Sequence, residues 1–512
     1  MHAGEKLRGV VEFAWGVSMT STIPTASWPG LRDRDRILTG GHWVEATGAM
    51  ALPVVNPATE ETVAEVREAS AADVDAAVTA ARSAFDTGPW PTWDPGRRAG
   101  VLDALADALE KRLPELSALA TIEGGVPTGF SQYGQGLAIS FLRYYAEQAR
   151  TFPFRTDRAR TGGATTRILR EPAGVVAAIA PWNGPLAVAA LKLGPALAAG
   201  CTVVLKPAPE TPLTTYVLAD VVEELVAAGT LPSGVVSVLA AGREIGERLV
   251  AHPGVDKITF TGSTAAGKRI MSVAAERIAR VTLELGGKSA AIVADDAPIP
   301  DVLSSLVFGG CGNTGQMCYA LTRVLVSESR HDEFVGALGA ALSGLAVGDP
   351  ADPATLIGPL AMARQRDRVE GYVATAIEEG ATVVVGGGQP ACLPRGYFFE
   401  PTLLTGVQNS MRVAQEEIFG PVISVITYRD VDDAVAIAND STYGLSGSVY
   451  TSDVERGYDI ARRIRTGTIS VNGAVFDTTV PFGGYKQSGL GREGGPEGLE
   501  PFLETKSVHM PA

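Results

Sequence analysis

The chain has 512 residues, too many for one small core, so two or three packed lobes are expected. Lys and Arg number 43 against 57 Asp and Glu, a net charge of −14 with no long basic block, which argues against a nucleic-acid partner. No apolar run is long enough to span a membrane, and 46% hydrophobic with 20% charged residues is the balance of a globular enzyme.

At the N-terminus Lys6 and Arg8 precede "GVVEFAWGVSM", a faint signal-peptide pattern that Glu12 interrupts and no cleavage site completes. Residues 1–30 are therefore read as a loosely ordered extension, with Met19 an alternative start. From Ala72 to Arg112, "AADVDAAVTAARSAF" and "RRAGVLDALADALEKRL" repeat apolar residues at helical spacing, and "GLAISFLRYYAEQAR" continues that layer. Residues 154–173 are polar, basic and Thr-rich, and read as a linker or an exposed hairpin against another subunit.

From Gly174 the texture becomes alternating: "GVVAAIAP", "CTVVLKP", "VVSVLAA" and "KITFTG" are short β-branched runs separated by helical patterns. That order predicts a Rossmann-like parallel sheet. After "VTLELGGK" it resumes with "AAIVADD", "RVLVSES", "PVISVITY" and "SGSVYTS", so a second α/β lobe is expected beyond a border near Gly286 and Gly287. The four cysteines, Cys201, Cys311, Cys318 and Cys392, follow no metal or disulfide spacing and fit a reducing cytoplasm.

"ITFTGSTAAGKR" at 258–269 comes within one residue of a phosphate-cradling P-loop, and "AAIVADD" resembles its acidic partner strand. Arg269 stands where a magnesium-ligating Ser or Thr is required, which counts against a nucleotide triphosphatase. A plain strand-to-helix turn, or a helix N-terminus holding some other phosphate, fits the same residues. Beside it, Asn183 in "APWNGP" and Lys206 in "LKPAPETP" follow strands, where ligands of open α/β sheets sit. Glu284 in "LELGGK", Cys318 in "NTGQMCYA" and Glu417 in "EEIFGPV" occupy similar breaks. Each has an ordinary alternative: an inert thiol, a solvated carboxylate, a turn-forming Asn, a surface Lys. Cys201 reads as core. The five histidines stand in polar or terminal contexts, so a carboxylate is the favoured base for any Cys chemistry.

Together "PWNGP", "KPAPETP", "FTGSTAAGK", "LELGGK", "GQMCYA", "EEIFGPV", "STYGLSGSVYT" and "PFGGYKQSGLGREGG" resemble the NAD(P)-dependent aldehyde dehydrogenase superfamily, of the hydrolytic rather than coenzyme A-acylating type. The resemblance implies an α/β fold: a Rossmann-like cofactor domain (31–153 and 174–286), a second α/β catalytic domain (287–480), and a small β oligomerisation element (154–173 and 481–512). It implies Cys318 as nucleophile, Asn183 as oxyanion donor, Glu284 as the base for thioester hydrolysis, and Lys192 with Glu493 as a proton-passing pair. For the cofactor it implies Ile179, Ala180, Pro181 and Trp182 beside the nicotinamide, with Thr261, Gly262, Ser263 and Gly267 at the pyrophosphate. Lys206, Pro209 and Glu210 would meet the adenosine ribose, and Leu285, Gly286, Glu417 and Phe419 would lie on the nicotinamide side; no metal is implied. Pro209 stands where many NAD-preferring relatives carry Glu, so NAD is expected and NADP is not excluded. Gly184 and Leu191 replace aromatic positions of relatives, so a less aromatic tunnel is expected. The loop "NGAVFDTTVPFGG" bears Phe476 as a large apolar group, with no Arg or Lys to recognise a substrate carboxylate. A small-molecule aldehyde partner and a homotetramer, with a homodimer as the alternative, complete the expectation.

Overall fold

The computed structural model describes residues 28–474 and 476–511. The N-terminal extension expected over 1–30, Met19 included, lies almost wholly outside them.

Five parallel strands form the centre of an eight-stranded sheet in the spatial order Arg280–Glu284, Lys257–Thr261, Val175–Ile179, Thr202–Lys206 and Val236–Val238. Val175–Ile179 and Thr202–Lys206 are buried at every position, as strands covered by helices on both faces must be. The crossover helix Pro185–Ala199 is Ala- and Leu-rich and stops at Gly200, whose φ of 97° only glycine adopts cheaply. Helix Leu213–Ala227 has no cap of its own; the buried Glu123 carboxylate accepts from Leu213 N at 2.7 Å and Thr214 N at 3.1 Å. The sheet also gains an antiparallel hairpin the alternation did not foretell, Arg36–Thr39 with His42–Glu45, turned by Gly40 and Gly41 at φ 59° and 86°.

A second, seven-stranded sheet runs Thr382–Val385, Thr402–Thr405, Val422–Tyr428, Leu321–Ser327, Ser289–Val293, Gly447–Tyr450 and Ser470–Val471, parallel except at its first pair. The link between the sheets is Leu285 to Lys288, the Gly-Gly turn. Near the C-terminus Gly489–Leu490 pairs antiparallel with Leu283 and Glu284, so the end of the chain folds over the strand that carries Glu284. Leu503–Met510, Thr165–Pro172 and Arg155–Ala159 make a separate three-stranded antiparallel sheet with a polar, exposed outer strand.

Candidate active site

Cys318 sits between helix Ile299–Cys311 and strand Leu321–Ser327, after a turn in which Asn313 and Thr314 take left-handed conformations at φ 49° and 56°. Such conformations cost energy in non-glycine residues and persist where neighbours over-determine them. Here Thr314 Oγ1 donates to Gly358 O at 3.2 Å, Asn313 Nδ2 to Asn183 O at 3.1 Å, and Ala361 N to Gln316 Oε1 at 3.0 Å. Asn183 Nδ2 in turn donates to Gln316 O at 2.9 Å, which ties the Asn183 amide to the cysteine loop and leaves its second amide proton for another acceptor. Cys318 is a free, partly exposed thiol. Burial of the sulfur and the Glu417 and Glu284 carboxylates push its ionisation well above the usual thiol range, so it rests protonated and needs a base.

Glu284 ends its strand with 2% of its surface exposed, and neither carboxyl oxygen has a hydrogen-bond partner among the described residues. Burial and nearby Glu493 hold its proton well above the ordinary range, against weaker opposing pulls from Lys192 and Arg492. Its Oε1 lies against Gly483, where a Cβ would come within 2.6 Å. An unpartnered buried carboxylate is costly, and such groups collect where chemistry uses them.

Lys192, fully buried on helix Pro185–Ala199, donates to Glu493 Oε1 at 2.6 Å, and Thr259 Oγ1 donates to the same oxygen at 2.9 Å. The pair inferred across 301 residues of sequence is thus in contact. The Gly-Gly turn is explained by proximity: a Cβ on Gly286 would collide with the Glu417 carboxylate, and one on Gly287 would lie 2.5 Å from Cys318 O.

The residues expected at the cofactor line the carboxyl ends of the first sheet. Lys206 Nζ donates to Ala241 O at 2.8 Å and Pro207 O at 2.9 Å, leaving one of three protons, and burial lowers its pKa to about 8. Thr261 Oγ1 is buried without a partner, and Ser263 caps helix Thr264–Ala275 through Ala266 N. Gly267 lets that helix press on Leu285, whose methyls lie 2.6–2.7 Å from where a Cβ would stand. Ile179 and Ala180 close the central strand, with Ala180 N donating to Lys206 O, and Pro181 leads into Trp182, which meets Phe419 edge-on at 5.2 Å. Phe419 is strained at φ 66°; Gln365 Nε2 donates to its carbonyl at 2.7 Å. Glu417 Oε1 accepts from Gly287 N at 3.1 Å, and burial raises its pKa to about 7.

Two expectations change. Glu210 is engaged by Arg364 of helix Ala363–Glu378, an ion pair that competes with any ribose contact, while Pro209 beside it offers no donor. The triphosphatase alternative fails because the helix begins at Thr264, so "TAAGK" is coiled rather than looped around a phosphate chain. Lys268 and Arg269 face solvent, the latter paired with Glu247.

Sequence reasoning missed an aromatic wall. Tyr319, next to the nucleophile, stacks on Phe476 at 5.8 Å, Phe482 closes against both, and Phe141 meets Phe476 edge-on at 6.0 Å. The aromatic positions missing at Gly184 and Leu191 are thus supplied from elsewhere, by rings from three separate segments, Phe476 and Phe482 sharing one loop. Phe476 was expected in its loop as a large apolar group; what the sequence did not show is that Tyr319, Phe482 and Phe141 gather around it.

The family described as the aldehyde dehydrogenase family matches residues 43–508. The chain belongs to the aldehyde dehydrogenase family. It is an NAD(P)-dependent oxidoreductase that converts aldehydes to carboxylic acids. Among its relatives, the geranial dehydrogenase of Castellaniella defragrans is 44% identical over 479 residues, covering 93% of this chain and 99% of the relative. The 3-succinoylsemialdehyde-pyridine dehydrogenase of a Pseudomonas species is 42% identical, with 93% and 99% covered. A Mycobacterium tuberculosis aldehyde dehydrogenase complexed with NAD+ superposes with a TM-score of 0.91 at 47% identity, covering 94% of this chain and 99% of that one. A Pseudomonas syringae aldehyde dehydrogenase C mutant complexed with NAD+ and octanal superposes at 0.89 with 39% identity, covering 96% and 98%.

Proposed function

We propose that the enzyme oxidises an apolar, uncharged aldehyde with NAD, using Cys318 as nucleophile and Glu284 as base. The observation that carries this reading is a buried carboxylate with no hydrogen-bond partner among the described residues, whose charge bears on the Cys318 thiol and raises its ionisation. Cofactor fit rests on the unpartnered Thr261 hydroxyl, the unused Lys206 proton and the buried Glu417 carboxylate. Thr261 and the amides of the capped helix would hold the pyrophosphate, Lys206 the adenosine ribose and Glu417 the nicotinamide ribose. When bound, the dinucleotide accepts the hydride.

In its ionised form Glu284 takes the thiol proton and passes it on through the Glu493–Lys192 pair, and the Cys318 sulfur bonds to the aldehyde carbon to give a thiohemiacetal. The second amide proton of Asn183 and the Cys318 backbone N–H stabilise the oxyanion. Once the substrate carbon has lost its hydride, a thioester remains on Cys318. Glu284 then removes a proton from water, whose oxygen attacks the thioester carbon; the C–S bond breaks and the acid leaves. The proton moves on through the Glu493–Lys192 pair.

The substrate side is supported by the Tyr319, Phe476 and Phe482 rings, which favour a flat or long apolar group. The named substrates of the geranial dehydrogenase and of the octanal complex agree with that. A cytoplasmic homotetramer, joined through the exposed strand Arg155–Ala159 and its sheet, completes the proposal; among the described residues no helix is long and apolar enough to cross a membrane. The test is a panel of aromatic, terpenoid and linear aldehydes with NAD and with NADP, read as reduced cofactor. Full activity in Cys318→Ala would overturn it.

A further inference from the structure

The face of the first sheet that receives helix Pro185–Ala199 changes character across the strands. On the two central strands it carries Val176, Ala178, Val203 and Leu205, all packed into one apolar core. On the next two strands the register places Lys257 beside Val176 and Thr259 beside Ala178, then Thr282 beside Thr259 and Glu284 beside Thr261. Lys257, Thr259, Thr282 and Glu284 are each at most 2% exposed. A polar line inside hydrocarbon is unfavourable unless its groups answer one another or do work.

Lys257 is the member the mechanism above leaves unused. Its Nζ donates to Thr282 Oγ1 at 2.7 Å and lies 4.9 Å from the Phe502 ring centroid, and it makes no ion pair among the described residues. The groups that face it are Glu493 and Lys192 from the helix and C-terminal side, Cys201 from the neighbouring loop, and Arg280 on the adjoining strand. Thr282 and Thr259 stand side by side in register, and Thr259 is bonded to Glu493 at 2.9 Å. Glu493, Thr259, Thr282 and Lys257 therefore follow one another across the sheet, hydrogen bonds joining the first two and the last two and strand register setting the two Thr side by side. This line ends one residue from Asp256, which with Arg280 and Glu504 lines a surface cleft of about 270 Å³ at the amino ends of these strands.

We propose that Lys257 accepts the hydrolytic proton from the Glu493–Lys192 pair and passes it to solvent at the Arg280–Glu504 cleft, opposite the aldehyde entrance. The inference rests on Glu284 as hydrolytic base. In the balance of the step, water loses a proton to Glu284 and its oxygen bonds the thioester carbon. The Cys318 sulfur leaves as thiolate, and the proton moves from Glu284 through Glu493 and the two Thr hydroxyls to the Lys257 amine, which becomes an ammonium. Burial lowers the Lys257 pKa to about 7, which suits an amine that must take and release a proton near neutral pH.

The test compares Lys257→Met, Lys257→Arg and Thr282→Val with the unaltered enzyme in stopped-flow turnover of an apolar aldehyde with NAD across pH 6 to 9, in H2O and D2O. The reading expects an unchanged burst of reduced cofactor, a steady-state rate lowered about tenfold, and a larger solvent isotope effect on that rate in all three variants. Arginine keeps charge and donors but does not release its proton, so it fails to rescue. Rescue by Lys257→Arg, or an unchanged rate and pH profile in Lys257→Met, would overturn the proposal. If the lysine variants do not fold, Thr282→Val decides: it keeps Lys257 and cuts the line, and wild-type turnover there refutes it. Glu284→Gln is run alongside; steady-state turnover surviving in that variant would sink the base assignment instead.

Discussion

Glu284→Gln is the perturbation that most directly probes the chemistry, because it keeps the volume of the side chain and removes only its capacity to hold a proton. Both Glu284 oxygens lack partners, so no hydrogen bond is broken by the change. The kinetic expectation is a burst of reduced cofactor equal to the active subunits, followed by a steady-state rate down about a hundredfold, the lower range for loss of a general base. That is about 2.7 kcal/mol on the barrier to thioester hydrolysis; the burst keeps its amplitude but slows, because the same carboxylate takes the thiol proton. Stability should move the other way. The folded-state pKa of Glu284 is raised above its unfolded value, so the unfolded chain binds fewer protons and the native state loses stability as pH rises from about 4.5 toward the folded pKa. The Gln variant lacks that slope, so its advantage in urea unfolding should be absent below about pH 4 and grow above it. An unaltered steady-state rate, or a stability difference independent of pH, would refute the reasoning.

Lys192→Met should destabilise the enzyme by about 3–5 kcal/mol in denaturant unfolding, since it strands the Glu493 carboxylate in the core; Lys192→Met with Glu493→Leu should recover most of that loss. Glu417 has a pKa near 7, so the Michaelis constant for NAD should fall as pH rises through 7 and become flat in Glu417→Gln, measured at saturating aldehyde. Phe476→Ala removes the ring that Tyr319, Phe482 and Phe141 all touch, and should lower kcat/KM for aromatic and terpenoid aldehydes about tenfold while sparing acetaldehyde.

Much of the site could be read before any coordinate was known. Glu284, Asn183, Lys206 and Cys318 each close or precede an apolar run, and the end of a parallel strand is where backbone geometry exposes a side chain to a ligand. The hairpin around Gly40 and Gly41 was not legible from alternation, because four-residue strands on a sheet edge carry little periodic signal. Glu210 was legible as a carboxylate following a strand of the first sheet but not as the partner of Arg364, which lies on a helix of the other sheet. Phe476 was legible as a large apolar group of its loop, but its neighbours were not: Phe141, Tyr319 and Phe482 look like ordinary core residues in the sequence, and only folding brings the four rings together.

The residues themselves determined which groups are present and on which side of each strand they stand, because side chains alternate with a period of two whatever the strand packs against. Alternation put Lys257 and Thr259 on the same face of their strand, and Thr282 and Glu284 on the same face of theirs. Tertiary structure alone decided what those groups do, because protonation depends on burial and on charges brought from distant segments. Glu284 holds its proton because a C-terminal segment folds back over its strand and brings Glu493 beside it. Lys192 is accommodated inside the core by an ion pair with that same residue, 301 positions away.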